Sequence, residues 1–118
     1  MTIQECYEAM GENYAEVKER LMSDAMIKKF VIKFLQDKSF DNLCDGISSG
    51  DGEKAFMGAH TLKGLSQNLG FMKLYKVTSD ITEQLRGRST AGCDKMLELV
   101  QLEYCNLANV IKKMQEEG

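Results

Sequence analysis

The sequence predicts an all-α protein, built as an antiparallel up-down-up-down four-helix bundle with a short N-terminal helical cover. Three observations carry this. Apolar residues recur at spacings of three and four along nearly the whole chain, while extended alternating runs rich in Val, Ile and Thr are absent. Proline is missing from all 118 residues. The breaks between helical stretches are short, and short connections favour antiparallel neighbours. The length fits one domain over residues 1–118, and a 43% hydrophobic chain of this size can bury a core without staples.

The elements follow in order. Ile3, Tyr7, Met10, Tyr14, Val17 and Leu21 keep helical spacing, interrupted by Gly11, which gives short helices near 2–10 and 12–22. Ser23-Asp24 supplies an N-cap for a long helix whose face is Met26, Ile27, Phe30, Val31, Phe34 and Leu35. Phe40, Leu43, Cys44 and Ile47 extend that face beyond a bend near Asp37–Asp41, where polar side chains compete with the helical backbone. Ser48-Ser49-Gly50-Asp51-Gly52 is the clearest loop. With no strand before it and no Gly-Lys-Ser/Thr ending, it reads as a turn and not as a phosphate loop.

Asp51 then caps a helix over about 52–69 that stops at Gly70. Phe71, Leu74, Thr78, Ile81 and Leu85 define a helix over about 71–86, closed by the cations of Arg86-Gly87-Arg88 at its negative end. Cys93, Leu97, Val100, Tyr104, Leu107, Ile111 and Met114 alternate fours and threes, a seam that predicts a long last helix packed at a shallow angle.

Composition excludes several roles. A net charge of −3 of mixed sign, with no basic patch interleaved with aromatics, argues against nucleic acid. No apolar run reaches membrane-spanning length, and no basic and apolar leader opens the chain, so a cytoplasmic protein is expected. Cys6, Cys44, Cys93 and Cys105 are scattered without Cys-x-x-C spacing and lie at or beside apolar helical positions. They read as small buried hydrophobes in a reducing compartment, and no metal site is expected.

The only histidine, His60, sits in Ala59-His60-Thr61-Leu62-Lys63-Gly64. At 100° per residue, Leu62, Leu65 and Leu69 fall opposite it, with Gly58 and Ala55 beside them. That stripe is the buried one, so His60 faces away from the core, between Phe56 and Lys63 on one side and Met57 and Gly64 on the other. Gln67 lies one turn further on.

A mid-helix glycine costs roughly 1 kcal/mol relative to alanine. Helical side chains lean back over the preceding turn, so any side chain at 64 would lean over the imidazole. Gly64 leaves that space open, and Lys63 places a cation beside it. An exposed ring with clear access and a neighbouring cation suits an incoming anion such as a phosphoryl group. Gly58, near the core pole, is the glycine suited to close helix packing.

His60-Thr61-Leu62-Lys63-Gly64, followed by Asn68-Leu69-Gly70, resembles the His-x-Leu-Lys-Gly-(four residues)-Leu-Gly signature of histidine-containing phosphotransfer (HPt) domains. Gly50-Asp51, the Ala59-His60 pair and Phe71 also look like that family, and the resemblance covers essentially the whole chain. It implies a four-helix-bundle shuttle of a multistep phosphorelay, with His60 as phospho-acceptor and an N-terminal segment covering one end. It also implies response-regulator receiver domains and hybrid sensor kinases as partners. The acceptor carboxylate and Mg2+ would come from the receiver, so the chain needs no cofactor of its own.

Lys63 would offset phosphoryl charge, and Gln67 is a candidate to hold the ring. In some members a glutamine twenty-two residues after the histidine does that; here the position is Thr82, followed by Glu83 and Gln84. Phe56 and Met57, on the face expected to be wet, suggest a docking patch for an apolar-rimmed receiver, the alternative being packing against the N-terminal helix. A monomer is expected, and the opening Met1 with a full run of helices fits a free-standing protein.

The competing function is a non-catalytic helical adaptor that binds a partner through the same face and carries no phosphate. Other chemistries fail on inventory. A kinase would need a nucleotide-binding motif. A di-metal bundle would need Glu-x-x-His pairs, and Met57 stands three residues before His60. A hydrolase would need a serine beside the histidine, whereas Ser66 is on another face.

Overall fold

Thr2, Asn13, Ser23 and Asp51 each stand one residue before a helix, and each caps it. Their side-chain oxygens accept the backbone N–H of Glu5 (3.1 Å), Glu16 (3.2 Å), Met26 (3.3 Å) and Lys54 (3.0 Å), satisfying donors that the helix itself leaves open. The computed structural model describes residues 1–117 as α1 (Ile3–Met10), α2 (Tyr14–Leu21), α3 (Asp24–Gln36), α4 (Ser39–Ser49), α5 (Gly52–Asn68), α6 (Met72–Gln84) and α7 (Asp94–Glu117). Among the described residues there is no strand, and no helix is long and apolar enough to cross a membrane.

The expected bend near Asp37 is a full break between α3 and α4. Asp37 leaves the helix with extended backbone (φ −71°, ψ 140°), and its carboxylate accepts the Ser39 amide at 2.8 Å. This is the local competition that short polar side chains offer to helix. α5 ends where the sequence places its stop. Gly70 takes φ +72°, and the Phe71 amide turns back to the Ser66 carbonyl at 2.8 Å.

Close approach sets the middle of the molecule. A Cβ on Gly58 would lie 2.7 Å from both the Leu43 nitrogen and the Ser39 carbonyl oxygen, and one on Gly46 would lie 2.5 Å from the Ala55 nitrogen. α4 and α5 therefore run antiparallel with their backbones in contact, which only glycine permits. α5 packs on α6, and α6 on α7. The seam of α7 is buried at Val100, Leu107, Ile111 and Met114 and half-buried at Leu97 and Tyr104, whose ring stacks on Phe40 at 3.8 Å.

The first two helices are tied to the C-terminal end of α5. The buried Tyr7 hydroxyl donates to the Leu69 carbonyl at 2.6 Å, and its ring lies 5.8 Å from that of Phe71. Arg20 Nη2 donates to the Asn68 carbonyl at 2.9 Å. Burial pushes the Cys6 thiol up to about 11, which keeps it an uncharged core residue. The cysteine reading needs one correction. Cys6 and Cys93 are buried and Cys44 is half-buried, but Cys105 is exposed, because its position lies off the seam of α7.

Candidate functional site

The histidine helix α5 buries Ala55, Gly58, Ala59 and Leu62, with Leu65 half-buried and the capping Leu69 buried just beyond it, and this fixes which way its other face turns. His60 is exposed. No group among the described residues hydrogen-bonds its ring, so neither ring nitrogen is tied up by a protein partner. Gly64, one turn on, is exposed, and a Cβ built there meets nothing within 4 Å. The space above the imidazole is open, and close packing is not why position 64 is glycine.

Lys63 is half-buried beside this opening. It also faces α6: the Glu83 carboxyl is held below its ordinary range first by its hydrogen bonds to Arg86 (2.5 and 3.1 Å) and, more weakly, by the Lys63 charge. Thr82 is buried and donates to the Thr78 carbonyl at 2.6 Å, so it does not reach the ring. Gln84 turns away to the Ala91 carbonyl. Gln67 is exposed on the far side of Gly64. Its carbonyl accepts from Arg20 (3.3 Å), and Arg20, Gly64, Gln67 and Asn68 line a shallow recess there. Its side chain makes no hydrogen bond to the ring.

Met57 is 52% exposed, but Phe56 is only 9% exposed, against the expectation of a wet face for both. The cover over Phe56 is not the N-terminal helix. It is the α6–α7 loop, whose Arg88 guanidinium lies 3.7 Å from the ring centroid, with Arg86 at 6.0 Å. On its other contact the Phe56 ring lies nearly parallel to that of His60, 13° between planes and 6.0 Å between centroids. Arg88 is further tied to Glu53 at 2.7 Å.

In the sequence, Arg86 and Arg88 read only as helix-end cations, and Glu53 carries no evident role. One available signal was the shared face of Glu53, Phe56 and His60, at i, i+3 and i+7 of one helix. A second sign lies in the backbone. Arg88 holds φ +64°, a conformation costing a non-glycine residue roughly 1–2 kcal/mol, with Gly87 next to it in sequence. No group of three His, Cys, Asp or Glu side chains among the described residues is placed to hold a metal ion.

Fold and site together define an all-helical protein that presents one accessible imidazole, flanked by cations, on a helix rigidly packed from behind. The Hpt domain family model matches residues 30–114, from within α3 to near the end of α7, and the chain belongs to that family. Hpt domains are phosphocarrier modules of two-component phosphorelays, where they interact with receiver domains and kinases. No solved structure matches the chain.

Proposed function

We propose that this chain accepts a phosphoryl group on His60 from the aspartate of one receiver domain and passes it to the aspartate of another. The carrying observation is His60 itself: exposed, free of hydrogen bonds at the ring, with open space above Gly64 and a cation at Lys63. In the forward step a ring nitrogen lone pair attacks phosphorus. The nitrogen–phosphorus bond forms as the bond to the aspartate oxygen breaks, and the carboxylate leaves with that electron pair. Lys63 stabilises the phosphoryl charge as it arrives. Mg2+ and the acidic pocket belong to the receiver, and this chain needs no cofactor and no autokinase activity.

In this reading residues 1–118 act as one domain: α3 and α4 together make the first, broken arm of an antiparallel up-down-up-down four-helix bundle, α5, α6 and α7 are the other three, and α1 and α2 cover one end. The protein works as a cytoplasmic monomer. Met57 is the apolar residue offered to the partner, while Phe56 serves from beneath the surface.

The test is transfer of labelled phosphate from a phosphorylated receiver domain. The parent takes up label that survives alkali, as phosphohistidine does and an acyl phosphate does not. His60→Gln takes up none and melts as the parent does, since the side chain lies opposite the core. Receiver binding without label would favour the adaptor, and a labelled His60→Gln protein would refute the site.

A further inference from the structure

Arg88 is held from several directions at once. Its carbonyl presses on the start of α5, where a Cβ on Gly52 would come within 1.7 Å of the oxygen, so only glycine at 52 admits this path of the loop. Its guanidinium bonds Glu53 at 2.7 Å and the Arg86 carbonyl at 2.6 Å, and it lies over Phe56 at 3.7 Å. Phe56 in turn lies 13° from parallel with the His60 ring. The torsion that turns a histidine ring is broad, so an imidazole with no hydrogen bond depends on packing to hold its plane.

We propose that Arg88 is a positioning residue for His60: its guanidinium clamps the Phe56 ring, and the clamped ring fixes the plane of the imidazole. The proposal rests on His60 as the phosphoryl acceptor. Two features separate it from a general charge effect. The Arg88 charge is already engaged by Glu53, and a flat guanidinium stacks on an aromatic face as an ammonium cannot. The strained φ of +64° is the cost at which an arginine, and not a glycine, stands there.

Because His60 is the only histidine, a histidine-specific isotope label reports one ring and nothing else. The decisive variant is Arg88→Gly, which relieves the strain at φ +64° while removing the guanidinium; unchanged backbone amide signals at residues 86–90 check that the loop keeps its path. The His60 ring signals should lose the ring-current shift from Phe56, and ring relaxation should report a more mobile imidazole. Phosphorylation by the small donor phosphoramidate should slow by about tenfold. Arg88→Lys should behave like Arg88→Gly in all three readouts. Unchanged ring signals in Arg88→Gly would overturn the proposal, and so would full rescue of rate and ring signals by Arg88→Lys. A parent that is never phosphorylated would refute the acceptor reading alone, while the ring signals would still decide the clamp.

Discussion

Gly58 and Leu43 meet backbone to backbone: a Cβ on Gly58 would stand 2.7 Å from the Leu43 amide nitrogen and equally close to the Ser39 carbonyl oxygen. Neither atom is the end of a flexible side chain, so two helices must part to admit a methyl group. Gly58→Ala should therefore destabilise by about 1–3 kcal/mol despite alanine's better helix propensity. Thermal melting should record a fall of roughly 5–10 °C. An unchanged or raised melting temperature would contradict the contact.

The cover formed by α1 and α2 depends on one buried hydrogen bond, from the Tyr7 hydroxyl to the Leu69 carbonyl at 2.6 Å. Tyr7→Phe keeps the ring against Phe71 and removes only the donor. The expected cost is about 1–2 kcal/mol, measured by denaturant unfolding. Phosphotransfer should be unaffected below the transition, because Tyr7 meets the chain at Leu69, more than two helical turns beyond His60.

Lys63 stands beside the open space but outside the core. Lys63→Ala should slow transfer to and from a receiver by about tenfold or more, on the order of 1–3 kcal/mol of transition-state stabilisation. Stability should move by less than about 0.5 kcal/mol. Loss of Lys63 should also let the Glu83 carboxyl titrate slightly higher, since the lysine charge helps hold it down. Equal transfer rates in mutant and parent would leave Lys63 as ordinary solvated surface.

Features that depend on one helix alone were legible in the sequence. The exposure of His60, the burial of Leu62 and Leu69 and the open space at Gly64 all follow from 100° per residue. The caps at Ser23 and Asp51 and the stop at Gly70 are equally local. Phe56 was misjudged because its environment is set by Arg88, thirty-two residues away, and the path of that loop depends on Gly52. Periodicity shows which way a side chain leaves its own helix and says nothing about what folds over it. Asp37 shows the same limit more mildly. Its competition with the helix was readable, but whether that bends or breaks α3 from α4 depends on how the two segments pack. Cys105 fell outside because a residue beside a seam can turn either way.

Gly64 separates the readings of this site most sharply. A Cβ there meets nothing within 4 Å, and the glycine has no positive φ to preserve. Gly64→Ala should therefore stabilise the protein by up to about 1 kcal/mol, through helix propensity and a less flexible unfolded chain. Gly64→Gln should fold as well, since the position faces solvent. Both should slow phosphotransfer from a receiver, the glutamine more, because a side chain at 64 leans back over the imidazole and obstructs the acidic pocket that must close on it. A protein that only binds a partner would show the stability gain with no transfer to lose. If glycine were there for helix packing, alanine would lower the melting temperature and activity would fall only with folding. Melting temperature and transfer rate measured on the same Gly64 series decide among these, and the expected outcome is stability up with transfer down.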